Sequence, residues 1–472
     1  MADAPFDVAI LGAGTGGYVA AIRGAQLGLN VALIEREKVG GTCLHRGCIP
    51  TKALLESAEV LDLTRRGAEF GISSGGQPSF DFGFMQSRKQ KVVDQLHQGV
   101  EGLLKQNKVT MFRGDGKFIS PTTLEITAAS GPAVTVTARN TVIATGSAPK
   151  SLPGITIDGR QVVSSDEILL LEQPPKSLIV VGAGAVGVEF ASLFNDLGTE
   201  VTVVEALPSL VPLEDKDVGV ELERRFTARG IKVYKGARMQ LDSLKKTASA
   251  VSIDVEVNGK RETLTAEKLL MAVGRGGITE GIGLERLRVE LDRGYIKVDG
   301  QMRTSEPNIY AIGDVNGGML LAHVAAAEGE HAVEAIAGKA GHPLDYNRIP
   351  RCTYTRPQIA SLGLSEDQAK ERGYHVKTGR FPFAANGRAL IYGEPNGFCK
   401  IVADADTSEL LGVFIIGHNA TELIAEAALG RFLEATSLEV GLSVHAHPTL
   451  SEVVMEAALD AERRAIHFFR RS

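Results

Sequence analysis

Asp7-Val8-Ala9-Ile10-Leu11-Gly12-Ala13-Gly14-Thr15-Gly16-Gly17, followed by Val31-Ala32-Leu33-Ile34-Glu35, is the stretch that decides the fold. The first apolar run reads as a short buried strand, the glycines as the turn leaving it, and the residues through Leu27 as a helix. A second strand then ends in an acid. Each part has a mechanical use. Glycines at 12, 14 and 17 let the backbone approach a pyrophosphate, the helix N-terminus stabilises its charge, and Glu35 accepts hydrogen bonds from ribose hydroxyls. A turn built for packing alone has no use for Glu35.

The same unit recurs. Leu178-Ile179-Val180-Val181 leads into Gly182, Gly184 and Gly187, a helix through Leu197, and Val201–Glu205. Glu35 lies 23 residues after Gly12, and Glu205 lies 23 after Gly182. Two accidents at one spacing are improbable, so the chain is expected to hold two dinucleotides in two similar domains. A carboxylate at Glu205 repels a 2′-phosphate and favours NAD over NADP, and no arginine follows closely to reverse that.

Between the repeats lies Gly40-Gly41-Thr42-Cys43-Leu44-His45-Arg46-Gly47-Cys48-Ile49-Pro50-Thr51-Lys52, which carries two of the four cysteines. A disulfide needs Cα atoms about 4.4–6.8 Å apart, whereas residues five apart on a regular helix are displaced by about 7.5 Å along its axis. A bridge therefore requires irregular backbone, which glycine and proline permit. Three readings stand for these residues: a redox-active dithiol, two inert buried thiols, or a metal site of Cys43, His45 and Cys48. The metal reading lacks a second ligand pair at zinc spacing. So few cysteines in 472 residues do not form a disulfide scaffold, which favours the redox reading.

The length requires two or three domains. The balance of 51 basic and 57 acidic residues gives −6, which argues against nucleic acid as the main partner. No apolar run reaches spanning length, and Met1–Pro5 lacks a signal-peptide layout, so a soluble, cytoplasmic protein is expected. Further on, Lys52–Ala58 reads as helical. So does Phe84–Gln106, with Val93, Leu96, Val100 and Leu103 on one face, and Val109–Thr137 reads as an antiparallel meander. Thr145 and Gly146 end a strand, as Gly274 does later. Asp314, after another strand, is placed to bind a polyol, and a helix opens near Ala322. From Tyr346 an α+β domain is expected, with strands at Arg351–Ile359, Gly397–Ala403 and Leu410–Ile416 and helices at Thr421–Leu433 and Thr449–Ile466. Its stretch His445-Ala446-His447-Pro448-Thr449-Leu450-Ser451-Glu452 sets a histidine before a helix with an acid about one turn in, which suits a general base oriented by a carboxylate. Cys352 and Cys399 read as buried thiols.

Together these motifs make the whole chain resemble the flavin-dependent pyridine nucleotide–disulfide oxidoreductases, most closely the branch that oxidises dihydrolipoyl groups. The resemblance implies an α/β fold of two Rossmann-like domains plus a C-terminal α+β dimerisation domain. The FAD-binding part is 1–150, the NAD-binding domain 151–276, the return to the FAD domain 277–345, and the interface domain 346–472. It implies that Gly12, Gly14, Gly17, Glu35, Gly116, Thr145, Gly146, Asp314 and Ala322 serve FAD, and that Gly182, Gly184, Gly187, Glu205 and Gly274 serve NAD. Cys43 becomes the interchange thiol and Cys48 the thiol against the flavin. Lys52 pairs with Glu189 near the flavin's reactive nitrogen, and His447 with Glu452 forms the acid/base pair of the opposite subunit. No metal is implied. The implied partners are a second copy, a small-molecule dithiol substrate, and the lipoyl domains of 2-oxo acid dehydrogenase or glycine cleavage complexes. The chain departs from the family at His45-Arg46, at Arg275-Gly276-Gly277-Ile278 and at Val324. Rival readings are a glutathione-type disulfide reductase, disfavoured by Glu205, and a mercuric reductase, disfavoured by an Arg470-Arg471-Ser472 terminus without cysteines. A third is a structural or regulatory flavin-binding subunit, which would need none of Cys43, Cys48, His447 or Glu452.

Overall fold

The computed structural model describes residues 5–73, 75–76, 78–339, 341 and 343–468. The N-terminal Met1–Ala4 and the C-terminal Arg470-Arg471-Ser472 lie outside the described residues. The chain divides into two compact units. The first takes in residues up to Ala53, Gly83–Lys150 and Gly274–Leu344, and the second takes in Leu54–Phe82, Ser151–Val273 and the chain from Asp345.

In the first unit, strand Phe6–Leu11 pairs in parallel with Val31–Glu35 on one side and with the Ala138–Ile143 half of strand Val134–Ile143 on the other. Alternate residues of the first strand face opposite ways. Val8 and Ile10 join a core with Leu33, Ala20, Ala21 and Val333, while Ala9 and Leu11 join Ile34, Phe118, Leu124 and Ile309. Burial on both faces is why the strand reads as a continuous apolar run rather than an alternating one.

The expected meander over Val109–Thr137 is corrected at its start. Thr110–Arg113 pairs in parallel with Val31–Glu35, because the helix Phe82–Gln106 acts as the crossover between them. The antiparallel meander comprises Asp115–Ser120, Thr123–Thr127 and the start of Val134–Ile143. The helix face also differs from expectation: Leu96 and Leu103 are 43% and 48% exposed, while Phe82, Val93 and Leu104 are buried.

The second unit repeats the frame. Strands Lys232–Lys235, Glu200–Glu205, Ser177–Val181, Lys268–Met271 and Val162–Val163 form a parallel sheet in that order, beside an antiparallel meander over Arg238–Ala266. Its C-terminal part is a five-stranded antiparallel sheet packed on helices Ala420–Phe432 and Glu452–Ala461. The run Arg351–Ile359, expected as one strand, is two that pair with each other, Arg351–Thr353 and Gln358–Gly363, because Pro357 interrupts it. Strand Val376–Pro382 and helix Ser437–Leu442 escape the sequence reading, and the last helix ends at Ala461 rather than Ile466.

Within this unit the strand residue Lys400, 3% exposed, meets Asp215 at 3.0 Å, Asp217 at 2.8 Å and Glu366 at 2.9 Å. Its ion pairs outweigh burial and hold its pKa above the lysine range. Bonds from Lys370 and Lys400 bring Glu366 down to about 2, against burial. A depressed carboxylate stabilises the fold above its unfolded pKa of 4.5, and that contribution is lost as pH falls toward 2. Lys400→Met takes the lysine partner from Asp215 and Asp217 while Glu366 keeps Lys370, and is expected to cost about 3 kcal/mol in chemical denaturation at pH 7. The deficit should shrink as acid neutralises the carboxylates.

Candidate functional site

Both glycine turns are built alike. Gly12 has φ +106° and Gly182 +99°, a region where a side chain is strained, and an added Cβ would run into the Ala144 or Ala272 carbonyl oxygen. The amides of Gly12 and Gly182 donate to Ile34 and Val204, each at 2.8 Å. A Cβ on Gly17 or Gly187 would overlap the carbonyl of Gly12 or Gly182, so the third glycine brings helix against strand. At Gly14 and Gly184 a Cβ would meet nothing within 4 Å. Each is the cap of a helix, Thr15–Gln26 or Ala185–Asp196, that has no side-chain cap and no acid in its first turn. Open space over uncapped amides fits a pyrophosphate.

The two acids close these turns. Glu35, 9% exposed, accepts from the amides of Ala13 and Glu37, both at 2.7 Å. Glu205, 8% exposed, accepts from Ala183 at 2.6 Å and Leu207 at 2.8 Å. Sequence reasoning gave them ribose hydroxyls; the structure adds that both oxygens of each already fasten backbone. Each oxygen keeps a second lone pair for a sugar.

Cys43 and Cys48 are bonded, with Cα atoms 4.6 Å apart. The irregular backbone this requires is a break between helix Gly41–Arg46 and helix Cys48–Arg65, made at Gly47. Gly40 precedes it at φ +103°, and its amide donates to the Ala13 carbonyl at 2.7 Å, which sets the disulfide next to the first glycine turn. Lys52 follows Cys48 by one turn of the same helix.

Around the strand ends a polar knot forms. Ser147 Oγ accepts from Arg275 Nε at 2.7 Å and donates to Asp314, while Arg275 Nη2 donates to the Ser147 carbonyl at 2.7 Å. Thr145 Oγ1 donates to the Ile278 carbonyl at 2.7 Å. The glycines after Arg275 thus belong to a strand, Arg275–Gly277, paired with Ser147–Pro149. Gly146 and Gly274 adopt φ +74° and +113° with open space beyond them. Asp314 sits in the turn Gly313–Asn316, which is held by Glu328, 1% exposed, accepting from the Gly313 amide at 2.6 Å and Asn316 Nδ2 at 2.9 Å. Sequence reasoning missed Ser147 and Glu328; an acid among the alanines of Ala322–Ile336 was the available signal. Ala322 opens that helix. At Gly116 a Cβ would press on Leu11 and Ile34, so packing alone requires glycine there.

In the second unit, His447, with 78% of its side chain exposed, places Nδ1 2.9 Å from Glu452 Oε1. Glu452 Oε2 accepts the Thr449 amide at 2.8 Å. Burial raises the Glu452 pKa, but the Thr449 amide and the His447 ring hold it below the usual value. Glu452 is the first residue of helix Glu452–Ala461 rather than a turn inside it. His445 lies between Glu426 at 2.6 Å and the Ser443 carbonyl at 2.7 Å, and the Glu426 bond raises its pKa against burial. Both ring nitrogens face an acceptor, which favours the charged ring that can donate from both. Glu189, 5% exposed, accepts the Tyr354 amide at 2.9 Å. Burial pushes the Cys399 thiol up, which keeps it inert.

Residues 6–329 match the pyridine nucleotide-disulphide oxidoreductase family, and residues 349–458 match its dimerisation domain. The chain is 48% identical to the dihydrolipoyl dehydrogenase of Bacillus subtilis, covering 98% of this chain and 99% of that protein. It is 46% identical to the dihydrolipoyl dehydrogenase of Chlorobaculum tepidum, over 97% of each. The crystal structure of LpdA from Mycobacterium tuberculosis superposes with a TM-score of 0.88 at 29% identity, covering 96% of this chain and 98% of that one.

The duplicated turns can be separated experimentally. Gly187→Ala is expected to weaken NADH binding at least about tenfold by calorimetry, a loss of ~1.4 kcal/mol or more, while the first turn keeps its dinucleotide.

Proposed function

The chain belongs to the pyridine nucleotide-disulphide oxidoreductases, and from that premise we propose that it oxidises dihydrolipoyl groups to the lipoyl disulfide while reducing NAD⁺ to NADH. The observation that carries this reading is the Cys43–Cys48 disulfide closed beside the first glycine turn. Residues 1–150 and 277–345 form the FAD domain, 151–276 the NAD domain and 346–472 the interface of a homodimer.

The open turn at Gly12, Gly14 and Gly17, with Glu35, Gly116, Thr145, Gly146, Asp314 and Ala322, would hold FAD. When bound, FAD supplies a two-electron carrier between dithiol and nicotinamide. Lys52 would counter negative charge near the flavin's reactive nitrogen. Gly182, Gly184, Gly187 and Glu205 would hold NAD⁺, and the Glu205 carboxylate would disfavour a 2′-phosphate.

The chain's own residues carry the sulfur and proton chemistry. His447, oriented by Glu452 and reaching the dithiol of the opposite subunit, takes the proton from one substrate thiol. The thiolate attacks Cys43 Sγ, the Cys43–Cys48 bond breaks, and Cys48 leaves as thiolate. Cys48 opens a helix of 18 residues, so the helix dipole stabilises that leaving group. The second substrate thiol then attacks the substrate sulfur of the mixed disulfide, its proton passes to the departing Cys43 sulfur as the Cys43–substrate bond breaks, and the lipoyl disulfide is freed with both enzyme sulfurs reduced. The substrate's natural carrier is a lipoyl domain of a 2-oxo acid dehydrogenase or glycine cleavage complex, and the site of action is the cytoplasm. No helix among the described residues is long and apolar enough to cross a membrane.

Anaerobic titration of the holoenzyme tests the substrate. Dihydrolipoamide, and not glutathione, is expected to raise a long-wavelength thiolate–flavin band; a response to glutathione alone would replace the assignment. Cys43→Ser should abolish dihydrolipoamide-dependent NAD⁺ reduction with FAD still bound. Glu452→Gln should lower kcat/KM about 10²-fold.

A further inference from the structure

Two imidazoles converge on one backbone carbonyl beside the disulfide. His45, between the cysteines, sets Nε2 2.9 Å from the Val39 oxygen. His97, on helix Phe82–Gln106, sets Nδ1 3.1 Å from the same atom. The rings meet edge to face with centroids 5.1 Å apart. A carbonyl only accepts, so both nitrogens carry hydrogen and both tautomers are fixed. Burial lowers the His45 pKa, as do His97, Lys38 and Arg46, against the Val39 bond, so the neutral ring is favoured. Arg46 pairs with Glu37, and Glu101 stands 3.6 Å from His97 and 2.8 Å from Arg113.

Val39 is where two parts of the site are joined. The next residue, Gly40, donates to the Ala13 carbonyl in the glycine turn and caps the helix that carries Cys43. Once the disulfide opens, no covalent bond ties helix Gly41–Arg46 to helix Cys48–Arg65 except the chain through Gly47. The two histidines hold the start of the first helix from outside that junction. We propose that His45, braced by His97 through the Val39 carbonyl, is a positioning residue that keeps Cys43 within closing distance of Cys48 while the pair is reduced. This rests on the redox reading of the disulfide and not on the identity of the substrate.

Holoenzyme equilibrated anaerobically in dithiothreitol redox buffers reads the closure directly. The Cys43–Cys48 bond breaks and its sulfurs take two electrons and two protons from the reagent, which closes to its cyclic disulfide; alkylation and mass spectrometry count the open fraction. His45→Leu is expected to lower the closing equilibrium about tenfold, raising the midpoint potential by ~30 mV. His45→Asn keeps an N–H donor and should stay within about twofold of the parent. His97→Leu, on a different helix from both cysteines, should fall between them. An unchanged equilibrium in His45→Leu, or an equal fall in His45→Asn, overturns the proposal. If His45→Leu does not fold, His97→Leu decides: a displaced equilibrium supports the brace and an unchanged one overturns it. The buffers hold neither dihydrolipoyl substrate nor NAD⁺, so an error in the substrate assignment leaves this readout intact.

Discussion

The hydrogen bond from an alanine amide to a strand-end glutamate, Ala13 to Glu35 and again Ala183 to Glu205, is the constraint on which both halves of the chain depend. It closes the glycine turn onto the second strand and aims the uncapped helix amides into open space. It also fixes where the next segment must pass. In the first unit that segment meets the turn through Gly40, whose amide binds the Ala13 carbonyl; in the second it does so through Val211, bound to the Ala183 carbonyl at 2.9 Å. One frame thus presents two loads. After Glu35 it carries the cysteine pair, and after Glu205 a loop without one, so the chemistry differs although the scaffold repeats.

Glycine is used here mainly for approach. Gly17 and Gly187 let a helix touch a carbonyl, and Gly16 and Gly329 do the same for two helices, since a Cβ on either would press on the backbone of the other helix. The disulfide depends on the opposite property. Gly47 interrupts a helix that would otherwise run through the cysteines and hold them apart, and the two shorter helices bring the sulfurs together.

The sequence was most legible where function demands local pattern. Strand, glycines and acid lie within one short window, and their repetition at equal spacing makes the two sheets readable from the residues alone. The Cys43–Cys48 bond and the His447–Glu452 contact were legible for the same reason, being close in sequence. Long-range partners left no such mark. Ser147, Arg275 and Asp314 meet from three separate segments, and Glu328 reaches back to the Asp314 turn from a helix whose composition suggests only packing. Leu96 and Leu103 misled because periodicity identifies an apolar stripe without saying which neighbours cover it. Thr110–Arg113 was folded into the meander because a short apolar run does not reveal whether its partner runs parallel.

The double engagement of Glu205 bears on how this chain can evolve. Its carboxylate, proposed to discourage a 2′-phosphate, also serves as the acceptor for two backbone amides of the turn. Replacing it with a neutral or basic residue would leave those amides to find new acceptors in a nearly buried setting. On the proposed reading, the group that would set nucleotide preference is therefore the same one that holds the loop, so neither can be altered alone.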